Sequence, residues 1–90
     1  MKNKNPAVIY GILLDPEGLP ISEARVSFID GPVSLPDIAL LTDSDGKFTL
    51  MAPVEGTYRI DCSADGFESA RITVNNIGGK DIKVEIQLSK

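Results

Sequence analysis

Strict alternation of apolar and polar residues in short runs is the feature that most limits what this chain can fold into. From Lys47 to Ala52, Phe48, Leu50 and Ala52 fall on one side and Lys47, Thr49 and Met51 on the other. From Thr57 to Ser63, Tyr58, Ile60 and Cys62 oppose Arg59, Asp61 and Ser63. From Asp81 to Leu88, Ile82, Val84, Ile86 and Leu88 oppose Asp81, Lys83, Glu85 and Gln87. A side-chain period of two belongs to a strand with one face buried, whereas a helix needs apolar residues every three or four positions. Asp43-Ser44-Asp45-Gly46, Glu55-Gly56 and Asp65-Gly66 punctuate the middle of the chain. Asp and Ser side chains bond nearby backbone N–H groups, and glycine takes a positive φ without steric penalty. Pro53 has no N–H to give a ladder and stops the Lys47–Ala52 run.

The same reading extends along the chain. Residues 1–6 form a polar tail, and residues 7–90 a single domain, as the length of 90 residues allows. The first strand is expected over Val8 to Leu14, followed by the turn Asp15-Pro16-Glu17-Gly18. Ile21 is expected to plug the edge of the core. The second strand runs from Ala24 to Asp30 with Ala24, Val26 and Phe28 inward, and Gly31 to Pro36 is a loop. Ile38 to Thr42 is a third strand, too apolar for its faces to be assigned, and Ser69 to Val74 is a sixth with Ile72 and Val74 inward. Asn75 to Lys80 is a loop, and the chain shows no helical periodicity. Seven short strands at regular spacing argue an all-β, two-sheet sandwich.

Ordered motifs add a resemblance. Gly11, Leu13 and Asp15 (G-x-L-x-D) precede Gly18, Pro20 and Ile21 (G-x-P-I) and Ala24, Val26 and Phe28 (A-x-V-x-F). T-D-x-D-G-x-F-x-L, E-G-x-Y-x-I and D-G-F follow in that order. The set, over roughly residues 7–88, resembles the carboxypeptidase regulatory-like domain. The resemblance implies a prealbumin-like (transthyretin-like) fold: a seven-stranded antiparallel Greek-key β-sandwich. It makes Gly46, Phe48, Gly56 and Tyr58 structural positions, with the Tyr58 hydroxyl held by nearby backbone. It also implies a register with Ile9, Gly11 and Leu13 inward.

Two chemical branches of this fold lack their residues here. The chain has no histidine, which removes His-based triads and the hydroxyisourate hydrolases of the transthyretin-like group. Collagen-adhesin B-type domains form a Lys–Asn or Lys–Asp isopeptide bond helped by a glutamate four residues after the corresponding tyrosine. That position is Cys62, and the only lysines near the first strand are Lys2 and Lys4 in the tail. No phosphate-cradling glycine loop is present. Nine basic and thirteen acidic residues give a net charge of −4, which is unsuited to nucleic acid. Cys62 is the single cysteine, so no intrachain disulfide forms, and its inward position marks a core thiol. The run from Ala7 to Leu14 is interrupted by Gly11, ends at Asp15 and lacks a small-residue cleavage site, so it reads as a strand rather than a signal peptide. No segment has membrane-spanning length, which predicts no membrane insertion. The expectation is a chain cytoplasmic at synthesis, extracellular if it belongs to an exported assembly, and either a stand-alone subunit or an excised domain.

Three candidate sites follow. Alternating strand direction gathers the turns after the first, third and fifth strands at one pole. Asp15, Asp43, Asp45 and Asp65, with Glu17 and Glu68, would meet there as hard oxygen ligands suited to calcium. The competing reading is that each Asp simply forms its turn, and D-S-D-G-K-F lacks the further ligands of an EF-hand loop. Sugar binding would rest on exposed aromatic rings, for which only Tyr10 and Phe67 remain outside the core. The first strand is the most unusual element, because the implied register leaves Val8, Tyr10, Ile12 and Leu14 on the outer face. Either the register is slipped by one, or this face is covered, by a partner or by Ile38 to Leu41 or the tail. Val33 and Leu35 in the loop at the opposite pole, with Ile29, would add to an apolar contact surface.

These readings converge on a non-catalytic structural or protein-interaction module. Its partner would be another protein, a neighbouring domain or a second copy of the chain, without nucleic acid and without a cofactor. A weak carbohydrate- or calcium-binding surface domain is the alternative.

Overall fold

The computed structural model describes residues 5–35 and 38–90. Most of the expected tail and Pro36 at the end of the expected loop lie outside the described residues. The strands are β1 (Ala7–Leu14), β2 (Arg25–Asp30), β3 (Leu40–Leu41), β4 (Lys47–Ala52), β5 (Gly56–Ser63), β6 (Ala70–Asn76) and β7 (Ile82–Gln87). They form a three-stranded sheet in the order β4-β1-β7 and a four-stranded sheet in the order β3-β2-β5-β6. The order is compatible with a Greek key.

The core lies between the two sheets and is built by the alternation. β4 buries Phe48, Leu50 and Ala52 and exposes the residues between them. β5 buries Tyr58, Ile60 and Cys62, and β1 buries Ala7, Ile9 and Leu13. Val26, Val74, Ile86 and Leu88 complete the same cluster, with Phe28 and Ile72 packed against it. Ile21 closes one edge at 8% exposure. The Phe28 and Tyr58 rings sit 5.3 Å apart in a tilted arrangement, a favoured geometry for aromatic pairs.

One strand pair departs from the antiparallel expectation. β1 runs antiparallel to β4 but parallel to β7, with Ile9–Leu14 in register with Ile82–Gln87. The reason is parity: each of the six connections reverses the chain, so the first and seventh strands point the same way. The remaining pairs, β2 with β3 and β5, and β5 with β6, are antiparallel.

Boundaries differ in two informative places. β3 is reduced from the expected Ile38–Thr42 to Leu40–Leu41, and Ile38 is 70% exposed. An apolar run at a sheet edge has no second layer to lie under, so its hydrophobicity does not guarantee burial. Thr42 instead turns inward, donating its hydroxyl to the Ile21 carbonyl at 2.7 Å and accepting from the Ala24 N–H at 2.9 Å. β6 runs past the expected Val74 to Asn76, which continues the inward series Ile72, Val74, Asn76.

The two D-x-x-G turns are built alike. The Asp15 side chain accepts from the N–H groups of Glu17 and Leu19, each at 2.9 Å, and its carbonyl accepts from Gly18. The Asp43 side chain accepts from Asp45 and Lys47, each at 2.9 Å, and its carbonyl accepts from Gly46. Gly46 has φ +74° and is buried, and a Cβ there would lie 2.7 Å from the Leu13 carbonyl oxygen. Gly18 has φ +85° with open space around it. The pair separates backbone strain from steric clash. Gly18→Ala is expected to cost about 1–2 kcal/mol, and Gly46→Ala roughly 3 kcal/mol or more because backbone must also shift. Urea unfolding of the two variants beside the parent measures the difference.

Candidate functional site

The expected register of β1 holds, with no slip. Ile9 and Leu13 are fully buried, Tyr10 is 42% exposed, and Val8, Ile12 and Leu14 are half-buried on the outer side. The cross-strand register fixes their neighbours. Tyr10 lies between Thr49 of β4 and Lys83 of β7, and Ile12 between Lys47 and Glu85. Val8 has Met51 beside it, and Leu14 has Gln87. The outer face is therefore an apolar central stripe flanked by mostly polar strands. A shallow groove of about 660 Å³ follows it, lined by Tyr10, Ile12, Lys47, Thr49, Lys83 and Glu85 together with Gly11, Phe48 and Val84.

The other sheet presents a different outer face. There Asp61 and Arg71 approach to 3.5 Å, and the Thr57 hydroxyl donates to Asn75 at 2.7 Å. Polar residues on the solvent side are usual for an antiparallel sheet. That sheet also exposes Ile29 of β2 at 43% and Leu41 of the edge strand β3 at 61%, but these stand singly, whereas β1 carries Val8, Tyr10, Ile12 and Leu14 in one run along the middle strand of its sheet.

Two of the expected contact residues do not join this face. Leu35 is half-buried and packs against the core, where a Cβ on Gly31 would meet both it and the Tyr58 ring. Val33 is 42% exposed, on the connection that follows β2 in the other sheet, and it does not line the groove. Ile38 to Leu41 do not cover the stripe either, because β3 pairs with β2 in the other sheet. Leu35 thus lies with Tyr58 of β5 in the core, while Tyr10 stands on the outer face of the other sheet.

The acidic pole resolves into separate turns. Among the described residues, no three acidic or other metal-ligating side chains come together as a metal site. Asp15 and Asp43 each use one carboxylate oxygen on two backbone N–H groups, as described above. Asp65 reaches Arg25 at 3.3 Å, an exposed pair of the kind worth little to stability. Asp45 is exposed in its turn.

Asn76, expected in a loop, is instead 2% exposed and joins three segments. Its amide nitrogen donates to the carbonyls of Asn5 at 2.9 Å, Ala52 at 3.3 Å and Val54 at 2.8 Å, while its oxygen accepts from Gly79. The signal was present in the inward alternation that ends on a polar residue. Beside it, Glu55 is held below the ordinary carboxylate range by the Asn5 amide first and the Gly78 backbone second. These bonds latch the start of β1 to the loops at that pole.

The Tyr58 ring is fully buried, and its hydroxyl donates to the Val54 carbonyl at 2.6 Å and accepts from the Val54 N–H at 3.1 Å. Burial first, and the Asp61 charge second, push the Cys62 thiol from 9.0 up to about 11. A thiol so protonated and enclosed is a poor nucleophile.

These features define a class, a small seven-stranded β-sandwich with an apolar stripe along the outer side of its first strand. The chain belongs to the carboxypeptidase regulatory-like domain family, which matches residues 8–89. Among solved structures, the fold is similar to 3-chlorocatechol 1,2-dioxygenase from Rhodococcus opacus 1CP, with TM-score 0.74 and 14% identity over 99% of this chain and 61% of that one. Catechol 1,2-dioxygenase from Acinetobacter sp. ADP1, inhibited by bound mercury, gives TM-score 0.72 and 12% identity over 98% of this chain and 53% of that one. (S)-Allantoin synthase gives TM-score 0.64 and 16% identity over 98% of this chain and 42% of that one. The chain thus spans between 42% and 61% of these proteins, and at such identities the likeness is one of fold alone. No curated protein sequence matches the chain. Among the described residues, no helix is long and apolar enough to cross a membrane.

Two outcomes follow from the buried groups. Tyr58→Phe should lose about 1–2 kcal/mol of stability, since it strips the Val54 N–H of its partner while the Val54 carbonyl keeps the Asn76 amide; thermal or urea unfolding measures it. For Cys62, a raised folded pKa means the unfolded chain releases the proton first. Stability should be unaffected below 9.0 and fall as pH rises from 9.0 towards about 11. A Cys62→Ala chain should lack that alkaline decline, and unfolding curves across the range read it.

Proposed function

We propose that the domain is a non-catalytic interaction module that packs against a protein partner or neighbouring domain through the outer face of β4-β1-β7. The observation that carries this reading is the apolar stripe of Tyr10 and Ile12, flanked by Thr49, Lys47, Lys83 and Glu85. Protein contact surfaces have this composition, with an apolar centre and a polar rim that excludes water from it. The continuity of the stripe along β1, against the isolated exposed Ile29 and Leu41 of the other sheet, supports its assignment to contact. The recurrence of this sandwich as a part of longer chains supports a module that works beside other segments.

The reading needs no cofactor, nucleic acid or membrane insertion. The chain contains no histidine, and its one thiol is buried and protonated. Asp15 and Asp43 bond their own turns and Asp65 reaches Arg25, which favours the turn reading over calcium. A sugar platform would have Tyr10 as its one exposed ring on this face, with Phe67 half-buried and the Lys90 ammonium 5.6 Å over its ring.

A photo-crosslinking residue placed at Tyr10, and in a second chain at Thr73 on the other sheet, tests the face in native extracts. The expected result is a discrete protein adduct from position 10 that Ile12→Thr weakens, with none from position 73. Equal adducts from both positions, or none from position 10, would count against the docking face.

A further inference from the structure

We infer that the fold is a tension-bearing link, in which force applied to the two ends of the domain is taken in shear by the parallel β1–β7 ladder. Strand direction sets the load path. β1 begins at the pole where Asn5 meets Asn76 and the Gly79 loop, and β7 ends at the other pole, beside Asp15 and Pro16. Because the two strands are parallel and paired, pulling on the start of one and the end of the other slides them past each other. Every backbone bond between Ile9–Leu14 and Ile82–Gln87 is then loaded together. Two antiparallel terminal strands pulled by their ends would instead open one bond at a time.

The ladder is bracketed at both ends. At its start the Val8 N–H donates to the Asp81 carboxylate at 3.2 Å. At its finish the Leu88 N–H donates to the Leu14 carbonyl at 2.8 Å, and the Gln87 amide donates to the carbonyls of Asp15 at 3.0 Å and Pro16 at 3.2 Å. Gln87 thus clamps the turn that leaves β1 onto the end of the strand that would be pulled. One side of the ladder is sealed by Ile9, Leu13, Ile86 and Leu88, all within the core. Water that cannot reach a backbone bond cannot replace it bond by bond, and evenly spaced parallel bonds share the load. The β4 ladder holds β1 from its other flank, so β1 cannot follow β7 without breaking a second set of pairs. This inference does not depend on what docks on the outer face.

Single-molecule pulling on the full chain tests it by changing only the direction of load. In one geometry the handles are at the two ends. In the other they are at the N-terminal end and at Lys80→Cys, just before β7 at the pole where β1 begins, so the same two strands are peeled apart. Forced unfolding reads the barrier along the pulled direction. The end-to-end geometry should require at least about twofold more force at the same pulling rate, because paired bonds must yield together. Gln87→Ala, an exposed change away from the core, should lower the end-to-end force and leave the peeling force unchanged. Equal forces in the two geometries, or an end-to-end force indifferent to Gln87→Ala, overturns the inference.

Discussion

The three-stranded sheet exists through β1. β4 and β7 pair with β1 and not with each other, so removing the middle strand removes the sheet. The same strand supplies Ile9 and Leu13 to the core and Tyr10 and Ile12 to the outer face. Burial on one side is what fixes its register, since a slip of one residue would exchange Ile9 and Leu13 for Tyr10 and Ile12. Both the packing of the domain and the surface it offers thus rest on the placement of eight residues.

Much of this was legible in the chain because burial in a small sandwich is periodic. The inward positions of β4, β5 and β7 follow from alternation alone, since each lies in a two-layer stack with one side wet. β3 is shorter than its apolar run predicts for the complementary reason. Ile38 to Leu41 are apolar without alternation, and hydrophobicity by itself does not tell an edge from a centre. Thr42 and Asn76 show a further limit: a polar residue in an inward position signals a buried bonding role, but its partners come from distant segments that local pattern does not name.

The candidate site divides in the same way. The outer stripe of β1 was visible as an excess of apolar residues over what one face can bury. The groove's other walls, Lys47, Thr49, Lys83 and Glu85, could be placed only once strand pairing set them beside Tyr10 and Ile12. The aspartates gave the opposite lesson. Gathering turns at one pole brings carboxylates near each other in sequence logic, yet an oxygen that already accepts two backbone N–H bonds is committed to its own turn. Leu35 was misplaced because a loop residue carries no periodicity, and its packing beside Tyr58 is a fact of the third dimension.

The parallel pairing of the first and last strands also bears on how the chain is made. Synthesis delivers β1 first and β7 last, so one flank of β1 has no strand to meet until Gln87 has emerged. The apolar residues of the nascent segment from Ala7 to Leu14 must wait until nearly all of the domain is made, with only β4 arriving earlier to share them. Pairings of such long sequence separation form slowly and leave strand edges open meanwhile. A domain wired in this way cannot close its sandwich until its last strand is made, and its vulnerable interval is set by the length of message that lies between β1 and β7.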